Sequence, residues 1–373
     1  MKKLIFKGLA LLVMAVLVGN SHAGPAYTFT ILSTSGGIAS NASAINDAGQ
    51  VVGYIRNSPY SLGFAALWSD GGYKVVGKPG EATAVGINNA GQVAGFTATF
   101  NGPTHAAIWN GATEIDVSSN YNSSEAHAIN NAGRVVGIGP DHAFLWDGAT
   151  TIDLGTLGGN ASSADAINDA GVIAGYSYLE NGTAHATLWS GGSISDLGTL
   201  GGKNSGAKGI NNAGQVVGWS FTSGNSTIHA TLWDGASTID LGTLGGALGP
   251  SSVARDINNL GQAVGYSYTG DSNPAQHATL WNGTAIVDLN SFLTEGEVSE
   301  GWVLDLANGI NDNGWIVGNA HNSRLGITSG FLLSLPVQSV PEPGTFALLC
   351  LALAGLGIRK RRSSSRAPLG API

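Results

Sequence analysis

A five-residue element, Ile-Asn-(Asn/Asp)-x-Gly, recurs seven times in this chain, beginning at Ile45, Ile87, Ile129, Ile167, Ile210, Ile257 and Ile310. The successive spacings are 42, 42, 38, 43, 47 and 53 residues. A period of this size is one supersecondary unit that cannot bury its apolar face alone, so neighbouring units must stack. Most copies lead into an apolar arm such as Val51-Val52-Gly53-Tyr54 or Val216-Val217-Gly218-Trp219. A variable polar loop follows, then His-Ala-x-Leu-Trp, at His142 to Trp146, His185 to Trp189, His229 to Trp233 and His277 to Trp281. The run from His105 to Trp109 has Ile108 in place of Leu, and Phe64 to Trp68 lacks the His. Units close on an Asp-Leu-Gly-Thr-Leu-Gly-Gly run, clearest at Asp153 to Gly159, Asp196 to Gly202 and Asp240 to Gly246.

Each unit thus supplies four short strands. The first ends at the Ile, Asn-Asn-Ala-Gly makes a tight turn in which Asn and Gly accept left-handed backbone, and the arm, the His-Ala run and the Asp-Leu-Gly-Thr-Leu run follow. Four strands every 40 to 50 residues predict propeller blades, with a solenoid as the competing architecture. The ends of the repeat region decide between them. Residues Tyr27 to Gly37 read as a fourth strand without a preceding three, and the last unit, from Ile310 to Gly330 through Leu335, reads as three strands without a fourth. The expected fold is therefore all-β, a seven-bladed β-propeller over residues 24–338 closed by its N-terminal strand.

Composition agrees with a turn-dense globular body: 57 of 373 residues are Gly and 11% are charged. Basic residues concentrate at the ends, leaving eight against 23 acidic residues between positions 24 and 340, a formal charge of −15. Such a body repels phosphate backbones, which excludes nucleic acid as a partner. The lone Cys350 permits no internal disulfide and no cysteine zinc site.

Residues 1–23 have the order of an export signal: Lys2, Lys3 and Lys7, an apolar run from Leu9 to Val18, and small residues at Ser21 and Ala23, after which cleavage is expected. The other end, 339–366, has three ordered parts. Pro341-Glu342-Pro343 is a stiff extended element, residues 345–358 carry no charge and are expected to form a short transmembrane helix, and Arg359-Lys360-Arg361-Arg362 halts it on the cytoplasmic side. Fourteen helical residues reach about 21 Å, short of a hydrocarbon core of about 30 Å, which suits an anchor that is later processed. Residues 367–373 are expected to be a disordered tail. The three-part ending resembles the PEP-CTERM sorting signal of Gram-negative bacteria, also described as an ice-binding-protein C-terminal domain. That resemblance implies recognition by a membrane exosortase, an inner-membrane precursor and delivery to an exopolysaccharide-rich envelope or biofilm. The repeats resemble the HAF family, named for the His-Ala-Phe at His142-Ala143-Phe144, which implies an exported repeat protein.

No catalytic set emerges. The chain lacks Gly-x-Ser-x-Gly, His-Glu-x-x-His and a complete phosphate-cradling Gly-x-x-x-x-Gly-Lys-(Ser/Thr). One His per unit, at 105, 142, 185, 229 and 277, spreads around a ring and cannot converge on an ion about 2 Å from each ligand, so structural hydrogen bonding is expected and no metal or cofactor. The Trp residues at 68, 109, 146, 189, 233 and 281 sit in apolar strands and should pack between blades, leaving Trp219, Trp302 and Trp315 as candidates for stacking on sugar. Asp153, Asp196, Asp240 and Asp288 recur with the fold and read as turn or register residues. The pairs Asn46-Asp47, Asn168-Asp169 and Asn311-Asp312 lack the alternating oxygen ligands of a calcium loop. The expected function is a non-enzymatic surface or matrix protein whose loops between second and third strands face polysaccharide or protein. The alternative is a propeller hydrolase or lyase acting on extracellular polysaccharide, for which the non-repeating Glu81, Glu114, Glu125, Glu180, Glu295, Glu297 and Glu300 are the carboxylates to watch. Ice binding, which needs a long flat ladder of groups, does not fit short twisted blades. Replacing Pro341, Glu342 and Pro343 with alanine should leave the precursor in the inner membrane at full size on a fractionation blot; normal release and maturation would refute the sorting assignment.

Overall fold

Each Asn-x-x-Gly segment folds as a tight hairpin turn. In the first, the Asn46 carbonyl accepts from Gly49 N–H, the Asn46 side-chain oxygen accepts from Gln50 N–H, and Gly49 takes φ +77°. The left-handed value explains the glycine, since a side chain there is strained. On either side run the first and second strands, such as Ala39–Ile45 and Val51–Arg56. The third and fourth strands of the unit are Phe64–Ser69 and Gly72–Val75.

The computed structural model describes residues 27–335 apart from 33, 35, 59–62, 79–81, 99–101, 118–120, 246–250 and 271–274. The export signal with Ala23, the sorting segment with Pro341, Glu342, Pro343 and Arg359 to Arg362, the apolar stretch 345–358 and the tail lie outside the described residues, as does Glu81. Among the described residues no helix is long and apolar enough to cross a membrane.

Seven four-stranded antiparallel sheets make up the described body. Their first strands are Ala39–Ile45, Ala82–Ile87, Glu125–Ile129, Gly158–Ile167, Gly201–Ile210, Ser252–Ile257 and Trp302–Ile310, which open blades 1 to 7 in that order. Blade 7 obtains its fourth strand from the N-terminus: Thr28–Ile31 pairs antiparallel with Ile327–Ser334, from Thr28 opposite Ser334 to Ile31 opposite Phe331. The closed seven-bladed propeller read from the repeat count and the mismatched ends is the fold observed.

One boundary differs from the sequence reading. Fourth strands in blades 3 and 4 stop at the aspartate, as Thr151–Asp153 and Ser193–Asp196, and the Leu-Gly-Thr-Leu that follows links one blade to the next. The aspartate itself ends the ladder. Asp153 Oδ1 accepts from Gly155 N–H at 2.8 Å and Asp196 Oδ1 from Gly198 N–H at 2.7 Å, turning the backbone out of the sheet.

Blades adhere through large-on-small packing. Trp233 of blade 5 lies in one cluster with Ala174 and Ala186 of blade 4, and Trp281 of blade 6 with Val217 and Ala230 of blade 5. Trp68, Trp109, Trp189, Trp233 and Trp281 are all buried, as inter-blade packing requires.

The turns also bond around the ring. Asn46 Nδ2 donates to Asn88 O, Asn88 to Asn130 O, Asn130 to Asn168 O, Asn168 to Asn211 O, Asn211 to Asn258 O, Asn258 to Asn311 O, and Asn311 back to Asn46 O, at 3.0–3.1 Å. A second circle lies one residue on, where each backbone N–H donates to the side-chain oxygen of its neighbour, Asp47 to Asn89 through Asp312 to Asp47. The first circle needs a side chain that both donates and accepts, and Asn alone fits. The second needs only an acceptor, so either Asn or Asp serves there, which accounts for the Asn-(Asn/Asp) pattern.

Removing residues 27–32 strips blade 7 of an entire ladder and exposes Phe331. The melting temperature should fall by about 10 °C or more, as expected for a loss of several kcal/mol from a domain this size; an unchanged melt would contradict closure by this strand.

Candidate functional site: the central channel

Every first strand carries a β-bulge at one position. Its partner register jumps between Ala42 and Ala44, Ala84 and Gly86, Ala126 and Ala128, Ala164 and Ala166, Ala207 and Gly209, Ala254 and Asp256, and Ala307 and Gly309. The residues passed over are Ser43, Val85, His127, Asp165, Lys208, Arg255 and Asn308, two before the isoleucine in each unit. All seven of these unpaired residues, together with five of the isoleucines, line one cavity of about 630 Å³. Bulges re-aim side chains in this way.

The glycine of the Val-Val-Gly arm makes the bulge possible. A Cβ built on Gly53 would sit 1.9 Å from Asn41 O, and on Gly175, Gly218 or Gly265 2.0 Å from the carbonyl of Ser163, Gly206 or Val253. No side chain tolerates that approach, so the second strand must present glycine where the first strand buckles toward it.

Four consecutive bulge positions, in blades 3 to 6, hold ionisable groups. Asp165 binds both neighbours: Oδ1 lies 3.1 Å from His127 Nδ1 and Oδ2 accepts from Lys208 Nζ at 2.7 Å, while Ser163 Oγ donates to Oδ1 at 2.9 Å. Burial opposes ionisation of Asp165, but His127 and Lys208 outweigh it and hold its carboxyl well below the usual carboxylate range. Burial likewise opposes charge on His127, yet the hydrogen bond and charge of Asp165 raise its pKa above the ordinary imidazole value. Arg255 is exposed to the channel, and among the described residues no hydrogen bond or ion pair engages its guanidinium. Asp256, next to it, is half-buried and held by backbone donors: Oδ1 accepts from Ile257 N–H and Oδ2 from Ile310 N–H, both at 2.9 Å. Burial pushes its carboxyl up to about 6.

All seven isoleucines line a smaller cavity, about 170 Å³, on the side of the Asn turns, and five of them, Ile45, Ile87, Ile129, Ile167 and Ile210, also line the larger one. They separate a charged, asymmetric vestibule on the loop face from the amide circles on the turn face.

Among the described residues, none of the candidate site residues singled out from the sequence lines the larger cavity itself. Trp219, Trp302 and Trp315 are half-buried and do not meet: Trp219 stands edge-on to Phe221 in blade 5, Trp302 edge-on to Phe29 at the loop-face end of blade 7, and Trp315 packs near Trp68 beside the turn of blade 7. Each repeated His pairs with the Asp of its own fourth strand, His142 with Asp153 at 2.9 Å, His185 with Asp196 at 2.8 Å, His229 with Asp240 at 2.8 Å and His277 with Asp288 at 2.6 Å; His105 stands 4.0 Å from Asp116. The partner in these blades is the fourth-strand carboxylate. Glu114 accepts from Trp109 Nε1, and Glu297 caps the short helix Glu295–Ser299 by accepting from Thr294 N–H. The carboxylates that do reach the channel, Asp165 and Asp256, were missed because they sit inside the most regular strand of the repeat. For Asp165 a signal was available: the residue two before each Ile-Asn differs in every unit, while the one preceding it is Ala in all seven.

The PEP-CTERM protein-sorting motif matches residues 339–362. No curated protein matches the chain in sequence. Among solved structures, the β-propeller domain of the Trilobed protease from Pyrococcus furiosus, described as having an open velcro topology, is similar with 12% identity and a TM-score of 0.53, over 79% of this chain and 95% of that one. A six-bladed fungal lectin from Aleuria aurantia, described by a fucose recognition mode, shows 17% identity and a TM-score of 0.36 over 69% of this chain and 95% of that one. Likeness at such identity shows the propeller fold of the first and assigns no activity.

Asp256 gives the channel a measurable pH signature. Its folded pKa exceeds the unfolded value of 3.8, so the folded state binds this proton more tightly and its contribution to stability is lost as pH rises from about 4 through about 6. Asp256→Asn should therefore gain on the wild type over that interval, by up to about 3 kcal/mol, in urea denaturation at pH 4 and pH 7. Parallel curves would show that the carboxyl titrates normally.

Proposed function

We propose that this chain is an exported, non-enzymatic binding protein of the cell surface or extracellular matrix, processed by an exosortase-type membrane protease, that holds exopolysaccharide on the loop face of its ring. The sorting motif supports export through a membrane-anchored precursor, and the resemblance of the repeats to the HAF family accords with it. The observation that carries the binding role is the bulge circle: an otherwise repeated scaffold presents Ser, Val, His, Asp, Lys, Arg and Asn at seven equivalent positions around one cavity. Different side chains at equivalent cavity-facing positions, each between a repeated Ala and a repeated Ile, are how a rigid scaffold carries recognition.

A second reading, an enzyme acting on polysaccharide, draws on Asp165 and Asp256, two carboxyls in one cavity with pKa values displaced in opposite directions. Against it, both oxygens of each are already engaged by protein donors. The exported protein should bind the producing organism's own exopolysaccharide saturably and leave its chain length unchanged. Absence of binding would defeat the proposal, and shortened glycan would favour the enzyme.

A further inference from the structure

The eight basic residues of the body are few against its 23 acids, yet two of them, Lys208 and Arg255, occupy adjacent bulge positions and His127 a third. The charges they meet in the cavity are Asp165 and Asp256. Asp165 is shared between His127 and Lys208, and Asp256 is turned onto the backbone N–H groups of Ile257 and Ile310. Arg255 remains with its guanidinium open to the channel, within electrostatic reach of Asp165 and Tyr266 but bonded to neither. An arginine held on a strand, facing a cavity and without a partner is a fork prepared for a planar anion.

Aromatic rings accompany these charges blade by blade. In the second strands Tyr176 stands opposite Ser163, Trp219 opposite Gly206 and Tyr266 opposite Val253, each two residues before Asp165, Lys208 and Arg255. The Trp219 indole lies so close over Gly206 that a Cβ there would meet Nε1 at 2.9 Å. Tyr178, Phe221 and Tyr268 extend the same three faces, edge-on to their partners at 6.0–6.2 Å. No other blade carries such a pair among the described residues. Charge and rings together therefore occupy one sector, blades 4 to 6. Asn308, in the next blade, points its amide nitrogen at Ala42 O at 2.7 Å and leaves its side-chain oxygen as an acceptor for a hydroxyl.

We propose that the channel mouth beside blades 4 to 6 is a subsite for the carboxylate of an acidic sugar, with Arg255 as its anion-binding fork and the Trp219 and Tyr266 rings as the surface on which the sugar lies. This rests on the exopolysaccharide reading and narrows it to uronate-bearing chains. A bare anion would use Arg255 without the rings, and a neutral sugar would use the rings without Arg255.

Calorimetric titration of the full exported chain with trigalacturonate, maltotriose and sodium sulfate separates these cases. The wild type should bind trigalacturonate at least tenfold more tightly than maltotriose or sulfate. Arg255→Gln should lose that preference while keeping its binding of maltotriose, and Arg255→Lys should recover it only in part, because an ammonium lacks the fork. Because no hydrogen bond or ion pair engages the Arg255 guanidinium among the described residues, both variants should melt with the wild type. Equal affinity of Arg255→Gln and wild type for trigalacturonate would overturn the proposal, as would sulfate binding as tightly as trigalacturonate. Failure of this subsite is distinct from failure of the function above. Retained exopolysaccharide binding by Arg255→Gln with no uronate preference in the wild type sinks the subsite alone, whereas uronate binding without exopolysaccharide binding sinks the broader reading and keeps the subsite.

Discussion

The circle of asparagine amides on the turn face is the interaction on which the remaining architecture depends. Each of the seven residues from Asn46 to Asn311 closes its own hairpin through Oδ1 and reaches the next blade through Nδ2, so local turn formation and inter-blade attachment are one event. At about 1 kcal/mol net per hydrogen bond, seven such links are comparable to the whole net stability of an ordinary domain, about 5–15 kcal/mol. They are buried, so losing one leaves a carbonyl of the neighbouring blade unsatisfied and costs more than the bond itself. The circle also fixes the angular position of every first strand, and with it the direction in which every bulged residue points.

From that fixed frame the Gly of each Val-Val-Gly arm and the bulge opposite it separate scaffold from recognition. The bulge depends on backbone contact at the glycine, about 2 Å from where a Cβ would lie, and not on which side chain is bulged. Ser43 and Arg255 therefore occupy equivalent backbone environments despite having nothing in common chemically. Residues such as Asp165 then interact mainly with the bulge positions of adjacent blades, which ties the chemistry of the channel to the order of the blades.

Much of the fold was legible because the repeat states it. Seven Ile-Asn elements gave the blade count, and the unmatched strand at Thr28–Ile31 gave the closure. The fourth-strand boundary was misplaced because Leu154 and Leu157 look like strand residues, whereas the Asx turn at Asp153 governs the backbone there. The site was harder to read. The repeated His and Trp and the non-repeating glutamates stand out in the sequence, while the channel groups lie within a strand whose alternation conceals a one-residue shift. A bulge changes which face a residue occupies without changing composition or hydrophobic pattern, so His127 and Asp165 look like surface residues until the register is known. The amide circles were visible only as turn chemistry, since nothing in a single hairpin reveals that its asparagine bonds the next one.

Closure by the N-terminal strand also imposes an order on folding. Thr28 pairs with Ser334, so the first strand of the body to leave the export machinery is the last to find its partner. Contacts this distant in sequence form slowly, because a loop of the whole domain must be ordered before they contribute. Until then blade 7 presents Ile327–Ser334 as an open edge with Phe331 and Leu333 uncovered, a template for pairing with another chain. The interval between arrival of Phe331 and its pairing with Ile31 is thus the period of greatest exposure to misassembly, and an exported chain passes through it outside the reach of cytoplasmic chaperones.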